Sequence, residues 1–214
     1  MRIPLENKLK KRLHVEIGRL QDEVVDIIYS SEENAVLHGG TALWRCYSGN
    51  RFSEDLDFYL KANEKFEKEF RKKLESRGLK LLKYKKTANA VYSKISNGNV
   101  EVRFEAALRK IKEFEVREYE RIDGSFSNVF VLSPEMLLEE KLEAYKNRKL
   151  IRDIYDVFML SSVVAENKKI NIKIKEFLKK VPEPVDEKNL KTIIFSGAVP
   201  SFEQIISALK RRFK

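Results

Sequence analysis

The apolar pattern of this chain changes period once, at Ser133-Pro134, and that change limits the folds open to it. Upstream, short segments alternate charged and apolar residues, as strands half-buried in a sheet do. Downstream, apolar residues recur every three or four positions, as helices require. Ser133 is a good capping residue, and Pro134 stands at the first helical position, where proline costs least. The expected fold class is therefore α+β, with a mixed α/β part over residues 1–132 and a helical part over 133–214. A length of 214 residues suits one domain, or one domain with a helical extension.

Within the first part, Leu9, Leu13, Ile17, Leu20, Val24 and Ile27 recur at helical spacing and predict one helix over 6–29. Ala35 to His38 reads as a short buried strand stopped by Gly39-Gly40, with a short helix from Thr41 to Tyr47. Asp55 to Leu60 alternates as a half-buried strand, and Asn63 can cap a helix that Gly78 ends. Strands are expected at Leu79–Tyr84 and Ala90–Ile95, then through the Asn97-Gly98 hairpin turn into Val100–Leu108. Glu113–Arg121 and Val129–Leu132 add two more. The second part predicts helices near 134–147, 150–164, 171–180, 186–195 and 201–213, the last opened by the capping box Ser201-Phe-Glu-Gln204.

Composition narrows the chemistry. One cysteine and two distant histidines, His14 and His38, leave no cysteine or histidine metal cluster. Any metal must be held by carboxylates, which suits magnesium or manganese. No apolar run is long enough to span a membrane, and the polar, basic stretch Met1 to Lys11 does not read as a secretory signal, so a cytoplasmic location is expected. The net charge is +10, and residues 61–86 alone carry eleven Lys/Arg against four Glu. Such a stripe suits a polyanionic partner, although Glu64–Lys68, Glu67–Arg71 and Glu69–Lys73 are also spaced to pair on a solvated helix. Lys and Glu make 53 residues while Gln appears twice, a bias found in proteins of hot-growing organisms.

Aspartate is scarce, at 8 residues against 25 Glu, yet Asp55 and Asp57 form one close pair and Asp153 and Asp156 another. On a strand, Asp55 and Asp57 face the same side, about 7 Å apart, and repel by roughly 2 kcal/mol at an effective dielectric near 20. A bound cation reverses that cost, whereas a plain edge strand would simply expose both to water. Some fifteen residues earlier, Val36-Leu37-His38-Gly39-Gly40-Thr41 is strand, glycine turn and helix start. Backbone N–H groups at such a turn can cradle phosphates. His14, Trp44 and Cys46 read as structural, and His38 as a packed histidine beside the turn. Tyr84, Tyr92 and Tyr119 are candidates for stacking on bases, or plain strand tyrosines.

Gly39-Gly40-Thr41-Ala42-Leu43 followed by Arg51-Phe-Ser53-Glu-Asp55-Leu-Asp57-Phe resembles the AbiEii/AbiGii nucleotidyltransferase toxin family of the DNA polymerase β-like superfamily. A later segment, Lys141 on a helix followed by Arg148, Arg152, Asp153 and Asp156, matches that family's third motif, so the likeness runs from about 35 to 160. The resemblance implies a polymerase β-like core, a mixed sheet with flanking helices, followed by a C-terminal helical bundle. It implies a two-ion magnesium (or manganese) site on Asp55 and Asp57, with Glu105, or else Glu101, as a third carboxylate. Gly39, Gly40, Thr41, Arg51, Ser53 and Lys141 would contact the nucleotide, and Asp153 would align or deprotonate the acceptor hydroxyl. Asp156 would stand beside it, and Arg148 and Arg152 would be further phosphate or substrate contacts. The implied substrate is an NTP, the implied acceptor an RNA such as the 3′ end of tRNA, and the implied partner a cognate antitoxin. Protein or small-molecule acceptors, aminoglycosides among them, occur on the same architecture. A non-catalytic module that binds RNA or a partner is the competing class.

Overall fold

The computed structural model describes residues 3–165 and 168–213. Met1 and Arg2 of the polar N-terminal stretch thus lie outside the described residues. The chain clusters into two units, one of Met1–Cys46 with Phe52–Leu132 and one of Tyr47–Arg51 with Ser133–Lys214. Residues 47–51 therefore group with the helical part, not with the sheet-bearing residues on either side of them.

The first unit opens with α1 (Leu5–Lys8) and α2 (Arg12–Ser31), where periodicity predicts one helix. Leu9 and Lys11 are extended, so the helical phase restarts at Arg12. Leu13 then falls off the apolar stripe and is 56% exposed. Next come β1 (Val36–His38), α3 (Gly39–Cys46) and β2 (Leu56–Tyr59). α4 (Glu64–Ser76) begins where expected, the Asn63 side chain accepting from the Phe66 N–H at 2.8 Å. β3 (Lys80–Lys86), β4 (Ala90–Ser96) and β5 (Glu101–Ala107) follow, with Gly98 at φ 95° in the tight β4–β5 turn. β6 (Phe114–Glu120) and β7 (Phe126–Leu132) end the unit, β7 beginning three residues before the expected start.

These strands form one seven-stranded sheet in the order β3-β4-β5-β2-β1-β7-β6. It is mixed: β1 runs parallel to β7 and β2 parallel to β5, while the other pairs are antiparallel. One face is an aromatic core. Phe58 and Phe104 lie 5.9 Å apart, and Tyr29 of α2 and Phe70 of α4 pack onto them at 5.6 and 5.4 Å. Because side chains alternate along a strand, Asp57 and Glu105 project from the opposite face. Of the three ion pairs spaced along α4, only Glu67–Arg71 forms among the described residues.

A buried charge ties α2, α3 and the β6–β7 loop together. Arg45 is 2% exposed, lies 3.9 Å from the Trp44 ring centre, donates to the Glu120 and Gly18 carbonyls, and pairs with Asp22 at 3.2 Å. Asp22 also accepts from the Tyr119 hydroxyl and the Ile122 N–H. Tyr119 is thereby committed to the core and unavailable to stack on a base.

The second unit contains α5 (Pro134–Arg148), α6 (Ile151–Ser161) and α7 (Lys168–Lys179). A 3-10 turn (Glu187–Asn189) leads into α8 (Leu190–Ile193), a much shorter element than the helix expected over 186–195. α9 (Phe202–Arg212) follows, with the Ser201/Gln204 capping box formed in both directions. Residues 47–51 dock here through Asn50: the Phe195 N–H donates to its carbonyl at 3.0 Å, and its side-chain amide donates to the Ser196 carbonyl at 2.7 Å. Among the described residues no helix is long and apolar enough to cross a membrane.

Arg45→Met should cost about 3–5 kcal/mol, because it leaves the Asp22 carboxylate buried without its cation. Urea unfolding followed by circular dichroism measures this, and a change under about 1 kcal/mol would remove the Arg45–Asp22 pair as an organiser of the unit.

Candidate active site

In the α/β unit the site is built at the end of β1. Antiparallel pairing of β1 with β2 sets His38 opposite Asp57, and parallel pairing of β2 with β5 sets Asp57 beside Glu105. The chain turns out of β1 at Gly39, with φ +72°, and enters α3 directly. A Cβ placed on Gly39 would lie 2.2 Å from Asp57 Oδ2, so the carboxylate sits against bare backbone. Thr41 supports the same corner from within α3, its hydroxyl donating to the Asp55 carbonyl at 2.6 Å. Gln21 of α2 fixes the approach to β2 by donating to the Ser53 carbonyl at 2.9 Å. Gly39, Gly40, Thr41, Ser53, Asp55, Asp57 and Glu105 all belong to this unit.

The two candidate third carboxylates are separated by position. Glu105 is the register neighbour of Asp57, whereas Glu101 lies four residues away, about 13 Å along the strand, and pairs with Lys94. Burial, then the charges of Asp57 and Asp55, push the Glu105 carboxyl above its ordinary value against the pull of Arg103. Tyr92 is the β4 register partner of Glu105 and is 42% exposed, so its ring stands beside the acidic group. Asp55 is engaged differently: Arg103 donates to both of its oxygens, at 2.7 and 3.0 Å. Among the described residues no three His, Cys, Asp or Glu side chains are arranged as a metal cage. The donor set nevertheless suits a hard divalent cation, being all carboxylate oxygen with mutual repulsion for the cation to relieve. Engagement of Asp55 by such an ion would compete with the Arg103 fork.

Arg51, Lys141, Arg148, Asp153 and Asp156 meet in the helical unit. Arg51 and Lys141 both hold Asp156: Arg51 donates to its two oxygens at 2.5 and 2.6 Å, and Lys141 Nζ lies 2.8 Å from Oδ2. Arg148 donates to both oxygens of Asp153 at 2.6 and 2.7 Å, with Lys141 Nζ 3.9 Å away. Both aspartates are 0% exposed, so they are not helix-end acids favoured by the dipole in water. Burial pushes Asp156 up, but Arg51 and Lys141 outweigh it and hold the carboxyl below its ordinary value. The Arg148 fork thus fixes the orientation of the Asp153 carboxylate. The cluster is a rigid mount for three cations.

Two groups contact the Tyr59 ring. His38 stacks on Tyr59 at 3.9 Å, and Arg109, which sequence reasoning did not single out, has its guanidinium 4.4 Å from the same ring centre. His14 stacks on Phe52 at 4.0 Å, Trp44 is buried, and burial pushes the Cys46 thiol up to about 12, which makes it a poor nucleophile.

Gly39→Ala should fold but lose any activity that depends on the acidic corner by at least about tenfold, since the new methyl must displace the Asp57 carboxylate and strain a positive φ by about 1–3 kcal/mol. Steady-state rates on the folded variant measure it. Asp156, with its folded value depressed, contributes stability that is present above its unfolded value and lost as pH falls through the folded one. Acid titration followed by circular dichroism should therefore show Asp156→Asn less stable at neutral pH by about 3–5 kcal/mol, with a shallower decline below about pH 4.

The family described as nucleotidyl transferase AbiEii toxin, type IV TA system, matches residues 27–198. Among curated proteins none matches the sequence. The fold is similar to that of JHP933 from Helicobacter pylori, with a TM-score of 0.69 at 19% identity over 95% of this chain and 91% of that one. It is also similar to MenT4, a nucleotidyltransferase toxin from Mycobacterium tuberculosis, with a TM-score of 0.61 at 16% identity over 94% of this chain and 82% of that one. With most of its length matched, including the Gly39-Gly40 turn, the Asp55/Asp57 pair and the Lys141–Asp156 helices, the chain belongs to the AbiEii family of nucleotidyltransferase toxins.

Proposed function

We propose that this protein transfers a nucleoside monophosphate from an NTP to a hydroxyl of an RNA acceptor, with the 3′ end of tRNA as the expected target, in a magnesium-dependent reaction. The observation that carries the reading is the contact of the Asp57 carboxylate with the Gly39 backbone. It brings a phosphate-binding type of turn and a carboxylate pair within one small corner of the sheet. An acceptor oxygen bonds to the α-phosphorus, the bond from that phosphorus to the bridging oxygen breaks, and pyrophosphate leaves. The hydroxyl proton passes into the carboxylate group of the sheet.

In this reading Asp55, Asp57 and Glu105 hold the divalent ions, which supply charge neutralisation at the transferring phosphate when bound. Gly39, Gly40 and Thr41 present backbone donors to the phosphates, and Ser53 holds the approach to the acidic strand. Lys141 and Arg51 carry the positive charge assigned to the nucleotide, kept in place by Asp156. Asp153, oriented by the bidentate Arg148, aligns the acceptor hydroxyl. The family context adds an antitoxin partner. Tyr92 beside Glu105 and the +10 net charge favour RNA over a small molecule as acceptor.

The test is incubation of the protein with magnesium and each labelled NTP, against total RNA and separately against protein extract. Label on a tRNA-sized band, reduced about 100- to 1,000-fold in Asp57→Asn, is the expected outcome, the size of losing one preorganised charge at the transition state. Label on protein alone would replace the RNA acceptor. Label on neither, with RNA binding unchanged in Asp57→Asn, would favour the non-catalytic module.

A further inference from the structure

A concave site lies in the α/β unit at the other end of β2 from Asp57. It is a pocket of about 440 Å³ between the end of β2, the start of β1 and the 109–112 loop leading to β6. Its rim carries Lys61, Arg109, Lys110 and Lys112 against the single acid Glu32. Among the described residues none of the three lysines has an acidic partner within ion-pair distance. Arg109 is fixed: its guanidinium lies 4.4 Å from the Tyr59 ring centre and donates to the Tyr59 hydroxyl at 2.6 Å. Phe114, at the start of β6, is 41% exposed on the same rim.

We infer that this pocket is a subsite for a single-stranded RNA segment, with the lysines on its phosphates and Phe114 under a base. The inference rests on the RNA-acceptor reading and gives that acceptor a second anchor. Three physical points support it. Uncompensated lysines clustered on one rim repel one another, and a phosphodiester backbone relieves that repulsion. An exposed ring among cations is the combination that single-stranded nucleic acid uses, since every base has a face to stack while its phosphates take the charge. Tyr59 and Asp57 share one face of β2 and are two residues apart, about 7 Å. A strand held at the pocket therefore lies within reach of the acidic corner.

The experiment is fluorescence anisotropy of a 5′-labelled single-stranded oligoribonucleotide over a salt series, without NTP or metal, in the Asp57→Asn background. The combined variant Lys61→Ala/Lys110→Ala/Lys112→Ala should bind at least about tenfold more weakly. Its slope of log affinity against log salt should fall by about 2, three contacts at roughly 0.7 each. Phe114→Ala should weaken binding with the slope unchanged. These exposed positions allow folding to be verified by circular dichroism. Wild-type affinity and slope in the lysine variant, or equal binding of a duplex of the same sequence, would overturn the subsite. Because turnover is not measured, absence of nucleotidyl transfer would sink the catalytic reading while leaving this result to stand on its own.

Discussion

The Asp57 carboxylate lies so close to the Gly39 backbone that no side chain fits between them, and the acidic corner of the sheet depends on that approach. It requires an antiparallel register that brings His38 opposite Asp57, a positive φ at Gly39, and a helix that begins with no intervening loop. Each condition supports the others. The register fixes where the turn falls, the turn points α3 across the strand ends, and Thr41 in that helix holds the backbone of Asp55. Parallel pairing with β5 then sets Glu105 beside Asp57 without any further device. Nucleotidyl transfer gains from such a corner because its catalysis is mostly positioning and charge neutralisation.

Charge in the helical unit is handled in the opposite way. Asp153 and Asp156 are fully buried and matched by Arg51, Lys141 and Arg148, so the acids are spent on holding cations. Buried pairs of this kind add little net stability, since removing both charges from water offsets most of their attraction. Their effect is geometric: bidentate guanidinium–carboxylate contacts admit few orientations. That explains why the Asp153 carboxylate is held in one orientation by Arg148. It also explains why Arg51, five residues after α3 ends at Cys46, groups with helices that begin some eighty residues later.

Much of the framework was legible because the signals are local. Asn63, Ser133 and the Ser201/Gln204 box cap helices through contacts three residues long, and Asn97-Gly98 turns a hairpin by its own backbone preferences. The Asp55/Asp57 pair and the glycine turn were likewise visible as residue types at a spacing. The break at Leu9–Lys11 was not, because an apolar period can be counted across an interruption that supplies no proline or glycine. The short α8 was missed for a related reason: helical periodicity in 186–195 says nothing of the Phe195 N–H, which the Asn50 carbonyl takes from a distant segment.

The sequence by itself determined the order of elements, the change from sheet to helices at Ser133-Pro134, and the residue types available to a carboxylate and phosphate chemistry. These follow from side-chain periodicity and backbone preference, which act over a few residues. Only the tertiary structure decided which acids stay available. Strand register set Glu105, and not Glu101, beside Asp57; burial committed Asp153 and Asp156 to cations; Arg45 found Asp22 within the core. Such choices depend on desolvation and on partners far apart in the chain, and neither exists until the chain has folded.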